Sequence, residues 1–234
     1  MKNILILGSS SGLGSFLKKK FLSEKNNVIT LNRKKIGKNI IKDNDYIANF
    51  ASDKSIVKQI KKIQKKFHKI DIFINCIATE GKINEPYLKN INHWRNTFNV
   101  NLFINILIIN KIIEMMRKNK AGSIIFFSGG GATTYPFGIR KNLTEYTCSK
   151  IALIKFSECV SASLKRNEKI NINTIAPGPM PTKMAKRIII KGRKYLKTDY
   201  KNLIKVFKEK DLIFEKIYKL ISLLNKNKNV SGKV

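Results

Sequence analysis

Two side chains four residues apart, Tyr146 and Lys150, carry the most specific chemical signal in the sequence. On a helix, positions i and i+4 share a face. An ammonium beside a phenol favours phenolate, drawing the tyrosine from about 10 toward the range of a general acid or base. A second signal is the run Gly8-Ser9-Ser10-Ser11-Gly12-Leu13-Gly14. Glycines so placed let the backbone turn tightly and approach a phosphate, and the helix that follows offers its N-terminal N–H groups to the negative charge. A third signal lies at Asn32-Arg33, the end of the second apolar run. An acid near such a point suits the ribose 2′-hydroxyl of NAD, and an arginine suits the 2′-phosphate of NADP. With Arg33-Lys34 here and no carboxylate, the sequence favours NADP(H) over NAD(H). Singly, each signal has a plain structural explanation: a Tyr-x-x-x-Lys pair is commonly structural, a glycine trio is weak evidence, and Arg33 is also one more cation in a basic chain.

These residues need elements to position them. Short apolar runs alternate with helical patterns from end to end, and the runs predict strands at Asn3 to Leu7, Val28 to Asn32, Tyr46 to Phe50, Asp71 to Asn75, Ser123 to Phe127 and Ile170 to Ile175. They are near-continuous Ile, Val and Phe, as strands covered on both faces should be. Ile56, Ile60, Ile63 and Phe67 follow i, i+4, i+7, i+11 after a capping Ser52-Asp53, and Ile213, Ile217, Leu220 and Leu224 repeat the pattern near the C-terminus. Strand–helix alternation of this kind predicts a doubly wound, Rossmann-type α/β fold: a parallel sheet with helices on both faces, residues 1–234 forming a single domain. The helix starting near Leu102 is apolar on nearly every side, so one face should lie on the sheet and the other against its own loops or a second subunit.

Composition narrows the classes. The 234 residues carry 47 Lys+Arg against 15 Asp+Glu, a formal net charge of +32, with 43% hydrophobic residues. That apolar share excludes a disordered chain. Cys76, Cys148 and Cys159 are too few for a disulfide framework, and with His68 and His93 far apart no metal site is expected. The most apolar stretch, Leu102 to Met116, is broken by Asn105, Asn110, Lys111 and Glu114, and the N-terminal run stops at Gly8. No membrane span and no signal peptide are expected, which leaves a cytoplasmic, reduced protein. Lysines are spread along the whole chain beside abundant Ile and Asn, so the charge fits compositional drift better than a nucleic-acid partner.

Taken in order, the motifs resemble the short-chain dehydrogenase/reductase family in its single-domain branch. The resemblance spans nearly the whole chain. It includes the glycine run, Asn75-Cys76-Ile77-Ala78 where the family has Asn-Asn-Ala-Gly, and Asn99-Val100-Asn101 on the long helix. It continues through Ser128-Gly129, Tyr146 with Lys150, and Ala176-Pro177-Gly178-Pro179 followed by Thr182. The resemblance implies that Tyr146 exchanges a proton with a carbonyl or alcohol oxygen, that Lys150 holds the nicotinamide ribose, and that Asn101 positions a relay water. It also implies a cofactor site at Gly8, Ser10, Ser11, Gly12, Leu13, Gly14, Asn32, Arg33, Asn49, Phe50, Asn75, Cys76, Pro177, Gly178 and Thr182, with Tyr146 and Lys150. Residues 179–208 would cover the substrate as a lid. A homodimer or homotetramer is expected, a second subunit being the simplest cover for the apolar helix near Leu102.

Four departures qualify this. The family's catalytic serine aligns with Gly129, within Ser128-Gly129-Gly130-Gly131-Ala132, so Ser128 is the expected substitute donor, with Thr133 or Thr134 as alternatives. Adjacent strand residues face opposite ways, so Ser128 needs a local twist, which the glycines make cheap. Cys76 and Ala78 replace an Asn and a Gly, Leu7 replaces a Thr, and the chain ends at Val234 where relatives continue through a last strand.

Between Thr182 and Lys201 stand eight basic residues and one acid, which suggests an anionic substrate or a solvated basic lid. Tyr135, Phe137 and Met180 are candidate pocket walls. The leading expectation is an NADP(H)-dependent enzyme interconverting a ketone and a secondary alcohol. A 3-oxoacyl-carrier-protein reductase or nucleotide-sugar reductase is the alternative within enzymes, and a cofactor-binding sensor without turnover is the alternative outside them.

Overall fold

In the computed structural model, residues 1–33, 43–83, 85, 90–132, 142–192, 207 and 209–234 are described. Lys34, Thr133, Thr134, Tyr135, Phe137 and much of the 179–208 segment lie outside them. Six strands, β1 (Asn3–Leu7), β2 (Asn27–Asn32), β3 (Asp45–Ile47), β4 (Ile72–Asn75), β5 (Gly122–Phe127) and β6 (Ile170–Ile175), form one sheet in the order β3-β2-β1-β4-β5-β6. Every pairing is parallel. The order reverses between β1 and β4, the point at which open α/β sheets bind their ligands.

Around the sheet lie α1 (Gly12–Ser23), α2 (Asp53–Phe67), α3 (Ile91–Phe98), α4 (Ile104–Lys118), α5 (Thr144–Ser163), α6 (Lys183–Gly192) and α7 (Lys210–Lys226). The strands' alternating side chains divide the core in two. Leu5, Leu7, Phe73, Ile124 and Phe126 meet α2, α4 and α5 on one side. Ile4, Ile6, Ile74, Ile125 and Phe127 meet α1 and α7 on the other. Both faces of each central strand are therefore dry, which is why these strands carry unbroken apolar runs.

Local chemistry sets the boundaries. The Ser52 side chain accepts the Ser55 N–H and starts α2, whose Ile56, Ile60 and Ile63 are buried as their spacing predicts. The strand expected to run to Phe50 leaves the sheet after Ile47, because Asn49 Oδ1 accepts the Ala51 N–H and turns the chain into the α2 cap. On α7 the buried stripe is Phe214, Ile217, Tyr218, Ile221 and Leu224, while Leu220 is exposed, a correction to the expected register. Helical packing rotated the stripe toward the two aromatics, Phe214 against Phe16 and Tyr218 against Phe21.

Residues 230–233 run along the outer edge of β6. Gly232 donates to Ile172 O (2.8 Å), Thr174 donates to Lys233 O (2.9 Å), and Asn173 Nδ2 donates to Val230 O (2.8 Å). An irregular strand-like segment thus partly covers the outer edge of β6. The α3–α4 rod, Ile91–Lys118, is long and apolar enough to cross a membrane by length and composition, and half of its most apolar stretch is buried within the fold. It exposes Phe103 and Ile106, and Ile151 of α5 is exposed as well.

Candidate active site

The glycine run forms the turn between β1 and α1. A Cβ on Gly14 would overlap the Gly8 carbonyl, so strand and helix approach each other as only glycine permits. The turn is braced from β2: Ser9 N–H donates to Asn32 Oδ1 (2.8 Å), and Asn32 Nδ2 donates to Ser9 Oγ (3.2 Å) and Thr30 Oγ1 (2.9 Å). Asn32 is buried and its amide serves the turn itself. Leu13 is in the core, so only its backbone faces outward. Ser11 stands at the N-cap of α1 without a side-chain cap bond, and the first turn holds no acid. The unsatisfied N–H groups there suit a phosphate, so the residues present fit the diphosphate of a nicotinamide dinucleotide. Across the cleft, the Thr182 methyl lies 3.4 Å from where a Gly12 Cβ would sit. Thr182 Oγ1 also accepts the Ala185 N–H and caps α6 (3.1 Å). Pro177 is half-buried and Gly178 exposed just before it.

The remaining positions named for the cofactor divide. Arg33 and Asn49 are exposed, Ser10 is exposed within the turn, and Phe50 is buried in the core on the α2 and α4 side. Asn49 Oδ1 is engaged by Ala51 N–H, which leaves its Nδ2 outward. Asn75 Oδ1 accepts the Ile77 N–H (2.8 Å), shaping the β4 exit where Cys76 sits.

On α5, Tyr146 and Lys150 lie on one buried face, with Lys150 Nζ 5.9 Å from the Tyr146 ring centre. Nζ donates to Phe127 O at the end of β5 (2.8 Å). Burial brings the Lys150 ammonium down to about 8. The neighbouring Cys76 thiol is pushed up to about 12 by its own burial, against the pull of Lys150, and so stays neutral while Lys150 titrates.

The end of β5 settles which position meets the tyrosine. A Cβ on Gly129 would overlap the Tyr146 hydroxyl, so the phenol occupies the space that a side chain at 129 would need. Ser128 continues the β5–β6 ladder through its N–H to Ile175 O (2.9 Å), and its buried Oγ meets no hydrogen-bond partner among the described residues.

Between α3 and α4 the helix widens into a π-turn, Asn99–Phe103, a geometry common at functional sites. It aims Asn101 inward. Asn101 Nδ2 donates to Thr79 O (3.0 Å) and Ser149 Oγ (2.9 Å), while its Oδ1 accepts the Thr79 N–H (2.9 Å). Ser149 Oγ in turn donates to the Tyr146 carbonyl (2.7 Å). Asn105 caps the Asn101 carbonyl (3.1 Å) and accepts from Asn75 Nδ2, so β4, the π-turn and α5 share one buried polar chain.

Several residues escaped the sequence reading. Glu145, fully buried next to Tyr146, accepts from Lys82 N–H and Thr97 Oγ1, each at 3.1 Å. Glu80 forms a two-pronged ion pair with Arg187 of α6 (2.7 and 2.8 Å). Ile83, Leu143 and Tyr146 form a small apolar cluster against which Met184 and Ile188 of α6 pack. Met180, a candidate wall or core residue, is partly buried and packs against the α1-side core.

Residues 2–191 match the family model for the short chain dehydrogenases. The chain belongs to that family. It is 30% identical over 186 residues to an uncharacterised oxidoreductase of Schizosaccharomyces pombe, covering 78% of this chain and 62% of that one, so it spans less than two thirds of that relative. It is 27% identical over 202 residues to the 3-oxoacyl-[acyl-carrier-protein] reductase of Buchnera aphidicola, covering 82% and 79%. The solved structure of levodione reductase shares its fold at a TM-score of 0.82 and 18% identity, covering 100% and 94%. The chain's family is that of the short chain dehydrogenases, and the relatives it matches in sequence are oxidoreductases and reductases.

Proposed function

We propose that this enzyme interconverts a ketone and a secondary alcohol with NADP(H), using Tyr146 as general acid and base. The observation that carries this is the buried Tyr146–Lys150 face, opened by Gly129 and tied to Asn101 through Ser149. The bound nicotinamide supplies the hydride. Gly8, Ser10, Ser11, Gly12, Leu13 and Gly14 would hold the diphosphate, Arg33 the 2′-phosphate, Asn49, Phe50, Asn75 and Cys76 the adenosine side, and Pro177, Gly178 and Thr182 the nicotinamide side. Lys150, charged below about 8, would bind the ribose hydroxyls and favour the phenolate. Tyr146 would pass its proton to the carbonyl oxygen in reduction and recover one through a water near Asn101. Ser128, buried with an unpartnered Oγ, is the donor assigned to the same oxygen.

Residues 179–208 act as the substrate lid, of which α6 is the described part. A 3-oxoacyl thioester is the favoured specific substrate after a plain ketone, on the strength of the Buchnera relative and the basic lid. Phe103 of the π-turn, Ile106 of α4 and Ile151 of α5, each a large apolar side chain left exposed, support a homodimer or homotetramer. The free cysteines suit the reducing cytoplasm.

Fluorescence titration with NADPH and NADH, followed by absorbance assays on a ketone panel, tests this. Binding tighter for NADPH by about tenfold, and a Tyr146→Phe variant that keeps that affinity while losing about 10²–10⁴ in kcat, is the expected outcome. Absence of NADPH binding, or full activity of Tyr146→Phe, overturns it.

A further inference from the structure

Residues 79–83, the loop leaving β4, are tied at every position to a different part of the site. Thr79 is held through both backbone groups by Asn101 of the π-turn. Glu80 reaches Arg187 on α6, 107 residues away in sequence. Gly81 has a positive φ of 69°, and a Cβ there would press on Glu145 and Thr97. Lys82 N–H donates to the Glu145 carboxylate on α5. Ile83 packs on Leu143 and Tyr146. The loop thus joins the lid helix to the turn of α5 that bears the phenol.

We propose that Glu80 is a positioning residue: its paired hydrogen bonds to Arg187 latch α6 over Tyr146, so that closing the site and aligning the phenol are one event. This rests on the reading of Tyr146 as the acid and base. Glu80 is 5% exposed, whereas the Arg187 side chain is 47% exposed, so the carboxylate is the fixed half and the guanidinium the half that arrives and leaves. Burial alone would push the Glu80 carboxyl up; the hydrogen bonds from Arg187 and its own backbone, with the charges of Arg187 and Lys191, hold it below the usual carboxylate range. The pair is therefore ionised at neutral pH. Arg187 stands between Met184 and Ile188, the two α6 side chains that touch the Tyr146 cluster, so the ion pair closes the rim of that contact. The planar guanidinium matches a carboxylate with two parallel bonds, which fixes orientation as well as distance. Arg187 is consequently engaged within the protein, and its charge is withdrawn from the basic set that the lid offers to an anionic substrate.

The test compares Glu80→Gln, Arg187→Met and the double variant in the full-length enzyme. Each single variant is expected to raise KM for the carbonyl substrate about tenfold and to lower kcat about tenfold, with NADPH affinity within twofold. Hydrogen exchange of the α6 amides should quicken about tenfold in both, while that of α5 stays unchanged. The double variant should be no worse than either single one, because both remove the same interaction. Arg187→Met keeps the test valid if Glu80→Gln fails to fold. Unchanged α6 exchange in both single variants, or effects that multiply in the double, overturns the latch. If no ketone is turned over, the proposed function fails by itself, and the exchange measurement alone still decides the latch.

Discussion

The two halves of the cleft are built by different means. The nucleotide side is made of backbone: a turn within residues 8–14, braced by Asn32, in which Leu13 contributes its main chain and Gly14 its lack of a side chain. The substrate side is made of side chains drawn from the β4 loop, the π-turn, β5, α5 and α6, joined by buried polar contacts. A backbone site tolerates changes of side chain but no added atom at its contact points. A side-chain site depends on partners far apart in sequence, and losing one partner leaves the other buried and unsatisfied.

The sharpest break in that contrast is Gly14→Val. The added atoms meet the rigid Gly8 carbonyl rather than a flexible side chain, so NADPH affinity should fall more than about 100-fold, with a stability loss of about 1–3 kcal/mol or more. Fluorescence titration and urea denaturation measure the two. Retention of normal affinity would show that the turn is not built on backbone contact.

Gly129→Ser adds a hydroxymethyl group beside the Tyr146 phenol. Because its Cβ would displace the Tyr146 hydroxyl, kcat should fall about 10–100-fold, with NADPH affinity unchanged. A gain in activity would show that the phenol has room to move aside and that the serine was simply missing.

The pH profile separates the halves by charge. Lys150 loses its proton near 8, so kcat/KM for reduction should decline above that pH, by up to about tenfold per unit, whereas NADPH contacts at the glycine turn hold no group titrating there. Lys150→Arg, charged throughout, should remove the break. The stability sign follows from the same shift. The folded amine titrates near 8 and the unfolded one near about 10.4, so below 8 the cost of burying the charge is fully present. Between the two values the unfolded chain binds more protons, and this group's contribution to stability rises with pH. Thermal melts of wild type against Lys150→Met across that window check it.

The smallest effect concerns the chain of amides linking the halves. Asn105→Leu removes the acceptor of Asn75 and the donor to the Asn101 carbonyl, so stability should drop by about 1–3 kcal/mol in urea denaturation. Turnover should fall only a few-fold, since Asn101 keeps its Thr79 and Ser149 bonds.

Much of this molecule was legible before folding. Strands covered on both faces carry unbroken apolar runs, so five of the six ran within a residue of their expected bounds. Tyr146 and Lys150 shared a face because four residues make about one helical turn. Asn105 was visible as a polar break in an apolar helix, without any sign of what it would bind. The third strand was expected at Tyr46 to Phe50 and is cut to Asp45–Ile47, because the Asn49 turn takes the following backbone out of the sheet.

Local spacing determined the strand–turn–helix carrying the glycines, the alternation that makes a parallel sheet, and the phenol and amine on one helix face. Which atoms fill the space at Gly129, what Glu145 and Glu80 are for, and how the last residues lie along β6 were decided only by the packed layers. The physical reason is distance along the chain: helix and strand periods fix neighbours within one element, whereas Thr97 with Glu145, 48 residues apart, and Glu80 with Arg187, 107 apart, meet only where separate elements converge.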